Sequence, residues 1–413
     1  MPRFIEVLQE RNFFLLWLGQ IISQFGDRLN QMALIAIVYS RTPGSPFELA
    51  KFISFTIIPS FVVSPIAGAF IDRWDKKTTM IVCDILRALI VLFIPLAFLD
   101  LSPSLPIYVS VFLVFAVSCF FLPARLSIIP DIVSKDKLLE ANSLFTVTGM
   151  IGGIFWFVVS GILIEFSKVK GGLYLNSAVY FLSAAAIFFI SAKRYKGGLD
   201  FNSIDIRSVI KTSLFEEIKE GLSYLKNHRE ARFVFGVLFV LMAGAGASYA
   251  VIIVFIQEAM GSVTRDLSLL GMFLGGGFFI GSLAYGRFGH SLSKAEAIFG
   301  CLILSGIAMF FFTASLKWTQ SFMVASIIAM ALGMAIAPIG ISTNTLIHEV
   351  VSDRMRGRTF SSLGIVMNFG FLIFMLIASK LSERIDRSWI LYGVSVFYAV
   401  SGSLGLLLRK GQR

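Results

Sequence analysis

Apolar runs about 20 residues long recur along nearly the whole chain, and that is the length an α-helix needs to cross roughly 30 Å of hydrocarbon. They fall at residues 12–39, 47–71, 78–99, 106–128, 138–166 and 173–192. After a polar stretch they resume at 231–256, 266–287, 294–316, 320–347, 358–384 and 388–408. Lipid cannot satisfy an unpaired backbone, and the runs lack the period-2 alternation of barrel strands, so they must be helices. Composition agrees: of 413 residues, 56% are hydrophobic and 15% charged, with mean hydropathy +0.82. The expected fold is an all-α membrane protein with twelve transmembrane helices in two pseudo-symmetric six-helix bundles. Residues 1–192 form the first bundle, 193–230 a linker and 231–413 the second. The first run is too long, and too polar at its centre, for a signal-peptide core, so it is expected to remain as a span.

Of the 36 Lys and Arg residues, 25 fall in the linker or in connections on one side of the membrane and nine on the other. The positive-inside rule then places both termini and the linker in the cytoplasm. The net charge of +11 is thereby a topology signal with some attraction for anionic lipid headgroups, and it does not imply nucleic acid. Cys83, Cys119 and Cys301 sit in apolar runs without metal-ligand spacing, so neither a metal site nor a disulfide framework is expected. The glycine-rich stretch "GMFLGGGFFIG" in span 8 lacks the Gly-Lys-Ser/Thr of a phosphate loop and lies at membrane depth. No enzyme activity and no cofactor are expected.

Within the linker, "SLFEEIKEGLSYLKNH" spaces Leu214, Ile218, Leu222 and Leu225 as an amphipathic helix would, one that would lie on the membrane surface. The halves share features at similar offsets: "FLPARLS" with "IAPIGIS", and "VSKDKLLEANSL" with "VSDRMRGRTFSSL". Matching offsets suggest duplication of a six-span unit, the plan of many transporters.

Two constellations carry the chemistry. In "GQIISQFGDRLNQMAL", Gln20, Gln24, Asp27 and Gln31 recur at steps of four, three and four, so they line one helix stripe that must face protein or water. Asp27 falls near mid-membrane, where a carboxylate is costly and usually has a task. Arg28 points about 100° away and is a poor partner for Asp27 within the helix. The second constellation is "GAFIDRWDKKTTMIVCDILRA", between spans 2 and 3, with Asp72, Arg73, Lys76 and Lys77 in a tight charged loop. Asp84 and Arg87 follow, three apart on one helix face.

That loop resembles the G-x-x-x-D-R-x-G-R-R/K signature of the major facilitator superfamily, with Asp75 in place of the second glycine. Together with "NFFLLWLGQIISQFGD", "LPARLSIIPDIVSKDKLLEANSL" and "RGRTFS", it looks like the branch holding macrolide-efflux pumps and the enterobactin exporter. The resemblance covers essentially the whole chain. It implies alternating access between two bundles in a bacterial inner membrane, in a monomer. It also implies a gating charge network of Asp72, Arg73, Lys76 and Lys77 with Asp84, Arg87, Arg125 and Asp131.

The family's antiporters often carry a Gly-Pro step in span 5. Here "GMIGGIFWFVVSG" has Trp156–Phe157 at that place. Candidate substrate and proton contacts are Asp27, Arg28, Gln24 and Gln31 in span 1, Trp156 in span 5 and Asn368 in span 11. The expected activity is proton-coupled export of an amphipathic drug-like or siderophore-like small molecule, with protons and membrane lipids as the other partners. "QFGD", "PAR" and "EANSL" are also similar to lysophospholipid transporters, which leaves lipid movement without antiport as the second reading. A non-transporting scaffold or sensor is the third.

Overall fold

The computed structural model describes residues 2–71, 73–99, 104–191, 229–289, 293–350 and 353–410. Asp72 and the linker helix expected within 193–230 therefore lie outside the described residues. Everything described is helical apart from short connections: α1 (Pro2–Gln9), α2 (Arg11–Arg41), α3 (Pro46–Val62), α4 (Ser64–Ile71), α5 (Lys76–Phe93) and α6 (Leu105–Ile132). There follow α7 (Leu138–Phe188), α8 (Arg229–Met260), α9 (Arg265–Phe288), α10 (Lys294–Ala314), α11 (Phe322–Val350), α12 (Asp353–Leu381) and α13 (Arg387–Lys410).

Local chemistry sets the boundaries. Asp75 caps α5 by accepting from the Thr78 backbone N–H at 2.7 Å, so the residue that departs from the loop signature starts the next helix. Ser293 and Glu296 form a capping box at the start of α10. Pro59, inside α3, precedes the break before α4, as a residue without an N–H should. Lys168, with φ 57 and ψ 176, turns α7 back on itself, so this one element supplies two antiparallel arms. Among the described residues, eight helical segments are long and apolar enough to cross a membrane. The 31-residue α2 is not one of them, because its polar stripe lowers its hydropathy.

The chain divides into two compact units. The first comprises Met1–Ile37 and Phe52–Leu214, the second Val38–Lys51 and Phe215–Arg413. In the first unit α5 packs on both α6 and α7, and a core of Phe13, Leu16, Met80, Phe121, Ile128 and Phe145 fills the space around it. Trp17 and Gln20 fix α2 to the first arm of α7 by donating to the Thr148 hydroxyl at 3.0 Å and the Phe145 carbonyl at 3.3 Å.

In the second unit α9 packs on α11, α10 on α13 and α8 on α12. The α9–α11 contact is backbone on backbone: a Cβ added at Gly277 or Gly281 would overlap the carbonyls of Met330 and Met334, and one at Gly333 would overlap that of Leu274. The glycine run in span 8 is thus a packing surface for a neighbouring helix. The turn at Gly44 (φ 74) is held in this unit by Arg387, which donates to its carbonyl and also pairs with Glu258.

Candidate functional site: a buried arginine between two carboxylates

The first unit contains a polar cluster centred on Arg87, a side chain only 1% exposed. Arg87 projects from α5 at eleven residues, or about 16 Å, beyond its start at Lys76. One terminal nitrogen donates to Asp27 Oδ1 at 3.2 Å and to Ser118 Oγ at 3.4 Å. The other donates to Ser23 Oγ at 3.2 Å and to Asp84 Oδ1, one turn back on the same helix. The rings of Phe121 and Tyr180 flank the guanidinium, with centroids 4.4 and 4.6 Å away. Cation–π contact of this kind is strongest where water is excluded.

The two carboxylates differ in environment. Asp84 is wholly buried and takes a second hydrogen bond from Ser183 Oγ at 2.6 Å. Asp27 receives the Tyr180 hydroxyl at 2.8 Å, yet its side chain is 51% exposed. Asp84 therefore completes a sealed ion pair, whereas Asp27 keeps one side open. Gly26 makes the approach of Tyr180 feasible, since a Cβ there would come within 2.9 Å of the tyrosine ring.

The Gln24 and Arg28 side of α2 lies against span 5. A Cβ at Gly149 or Gly152 would meet the Gln24 amide at 3.4 and 3.1 Å, and one at Gly153 would meet Arg28 at 3.5 Å. Trp156 lies against Phe25 with centroids 4.6 Å apart. Arg28 donates to Gln31 at 3.0 Å and takes no part in the Asp27 pair, in line with its direction on the helix. Of the six residues expected to contact substrate or protons, Gln24, Arg28 and Trp156 lie along this α2–α7 face, Gln31 is bonded to Arg28, and Asp27 instead meets Tyr180 of the second arm. Asn368 is exposed on α12 in the second unit.

The residues expected to form one gating network separate into two groups. Lys76 pairs with Asp131 at 2.7 Å, and Lys77 donates to the Ile190 carbonyl at 2.6 Å. Arg73 is exposed in the turn before α5. Asp84 and Arg87 instead join Asp27, because eleven residues of helix carry Arg87 well away from that turn. Arg125 goes with the inner group: it shares a face of α6 with Ser118 and Phe121, close enough to Asp27 and Arg87 to feel both charges. Tyr180, Phe121, Ser118 and Ser183 were not anticipated. The recurrence of Asn176, Ser177, Tyr180 and Ser183 on one face of an apolar helix was the available signal.

Residues 16–260 match the Major Facilitator Superfamily profile. Over 383 residues the chain is 25% identical to the putative bacilysin exporter BacE of Bacillus subtilis (strain 168), covering 91% of this chain and 90% of that protein. It is 22% identical over 403 residues to macrolide efflux protein A of Streptococcus pyogenes, covering 95% and 93%. The crystal structure of the nucleoside transporter NupG has the same fold at TM-score 0.72 and 12% identity, covering 96% of this chain and 99% of that one. With a profile match over more than half its length and exporters among its full-length relatives, the chain belongs to the major facilitator superfamily.

Proposed function

We propose that this protein is a secondary transporter that exports an amphipathic small molecule coupled to protons, with Asp27 as the protonatable group. The observation that carries the reading is the half-open carboxylate of Asp27, bonded to a fully buried Arg87 and to Tyr180. Arg87 has Asp84 as a second, sealed partner, so it stays compensated while Asp27 takes up or releases a proton. An uncompensated buried charge would be far more costly. The putative bacilysin exporter and macrolide efflux relatives support export, and the Phe25–Trp156 pair where α2 meets the first arm of α7 suits the apolar part of an amphiphile.

The wider architecture belongs to the same reading: twelve spans in two six-helix bundles, 1–192 and 231–413, joined by a cytoplasmic linker, with both termini in the cytoplasm. Alternating access belongs to the same reading, with Asn368 as the substrate contact proposed in the second bundle. The charge pair Lys76–Asp131, with Arg73 in the adjoining turn and its sequence neighbour Asp72, would bias the equilibrium between conformations.

The test uses purified protein in liposomes holding a pH-sensitive dye, comparing wild type with Asp27→Asn as candidate substrates are added. Substrate-evoked proton movement, abolished in the variant, is the expected result. A substrate that crosses equally well in both proteins with no proton movement overturns the coupling role of Asp27.

A further inference from the structure

Arg125 stands out from the other charges at membrane depth. Like Arg87 and Arg387 it has a buried Nε without a hydrogen-bond partner, but those two pair with carboxylates, whereas among the described residues no carboxylate lies within ion-pair distance of Arg125. Asp27 is taken by Arg87 and Tyr180, and Asp84 by Arg87 and Ser183. Asp131, one turn and a half further along the same helix, is taken by Lys76. A guanidinium presents five donors in a planar fork that matches an oxyanion. Leaving such a group part-buried and unpaired is expensive unless something else fills the place.

Its direction is fixed by its neighbours. Ser118, Phe121 and Arg125 follow one another at steps of three and four on α6, and the first two touch the Arg87 guanidinium. Arg125 therefore looks into the same cluster as Asp27, one turn from the stacked Phe121. Among the described residues that cluster holds two carboxylates, Asp27 and Asp84, both already bonded to Arg87, and a second guanidinium with no partner. An anion brought there could take the donors of Arg125, which no described carboxylate occupies, whereas a cation could not.

We infer that Arg125 is the anchor for an oxyanion, a carboxylate, sulfonate or phosphate, carried by the amphiphile that this protein transports. The inference rests on the transport reading above and adds the charge class of the substrate. Asp27 handles the proton, and Arg125 holds the anionic end.

The experiment compares two probes with one fluorophore and opposite charge, dansylglycine and dansylcadaverine, on full-length protein in phosphatidylcholine nanodiscs. Saturable binding is read by energy transfer from tryptophan to dansyl. Dansylglycine should bind wild type more tightly than dansylcadaverine does. Arg125→Gln should weaken dansylglycine about tenfold or more, the scale of losing one charge-assisted contact. Arg125→Lys, which keeps the charge, should retain part of the affinity, and dansylcadaverine should respond to neither variant. Gel-filtration profile and melting temperature show whether each variant is folded, and Arg125→Lys carries the test if Arg125→Gln is not.

Equal or tighter binding of dansylcadaverine by wild type overturns the inference, as does dansylglycine binding indifferent to Arg125 or no saturable binding of either probe. Replacing part of the lipid with phosphatidylglycerol separates the sources of the anion. Competition with dansylglycine through Arg125 assigns the site to a lipid phosphate, and its absence to a water-borne amphiphile. The coupling reading is judged separately by Asp27→Asn. Binding through Arg125 with no proton movement would leave the anion site standing and remove proton coupling. Proton movement with binding indifferent to Arg125 would do the reverse.

Discussion

At the residue scale, stability and function meet at Arg87. Among the described residues it is the largest fully buried side chain, and carboxylates, hydroxyls and aromatic rings surround its two terminal nitrogens. Arg87→Gln should leave Asp84 buried without its partner, at a cost of about 3–5 kcal/mol. This appears as a large drop in melting temperature in detergent, and the double variant with Asp84→Asn should recover much of it. A single variant that melts like wild type would sink the idea that the pair is sealed. A milder effect belongs to Asp386, in the connection before α13. Hydrogen bonds from the Ser388 hydroxyl and backbone hold its carboxyl below the usual range, with Lys317 assisting. A depressed carboxyl contributes stability above its ordinary titration range and loses it as pH falls through the depressed value. Ser388→Ala should therefore shift the melting temperature down above that range and flatten its fall at lower pH. The shift should be small because the group is largely exposed, and a pH series of melting temperatures below pH 5 checks it.

At the element scale, the decisive contacts are those where helices approach backbone to backbone. Gly277→Val on α9 forces a branched side chain onto the Met330 carbonyl. The expected cost is about 1–3 kcal/mol or more, read as poor yield of monodisperse protein; Gly276→Val, with open space around its Cβ, is the control that should behave as wild type. Gly26→Ala has a different consequence. The added methyl presses on the Tyr180 ring and should weaken the tyrosine bond to Asp27 while leaving the helices in place. Near-wild-type melting with altered proton-coupled transport is the expected combination, and unchanged transport would show that Tyr180 does not tune Asp27. The helical character was legible in the sequence, since the apolar runs fall on described helices, although 47–71 is divided between α3 and α4 and the runs 138–166 and 173–192 share α7. The return of the chain at Lys168 was legible only as a gap between runs, because a single residue with positive φ leaves little trace in composition.

At the scale of the whole molecule, topology and charge asymmetry predict that a fluorescent protein fused after Arg413 folds and fluoresces on the cytoplasmic side. A fusion that is dark, while a periplasmic reporter at the same site is active, would invert the orientation. The candidate site was partly legible in the same way. Asp27 and its stripe were visible because a carboxylate in a long apolar run is costly and rare. Its partners were not, since Arg87, Phe121 and Tyr180 lie on three other stretches of chain, up to 153 residues away.

The sequence by itself determined that this chain crosses the membrane as helices, and it marked which residues would be costly there. The reason is that burial of backbone and charge in hydrocarbon is penalised one segment at a time, and each segment carries its own record. Only the tertiary structure decided how the charges pair. It paired Arg87 with both Asp84 and Asp27, and Asp131 with Lys76. Pairing depends on the depth and rotation of each helix against its neighbours, and those quantities are set by side-chain packing between segments far apart in the chain.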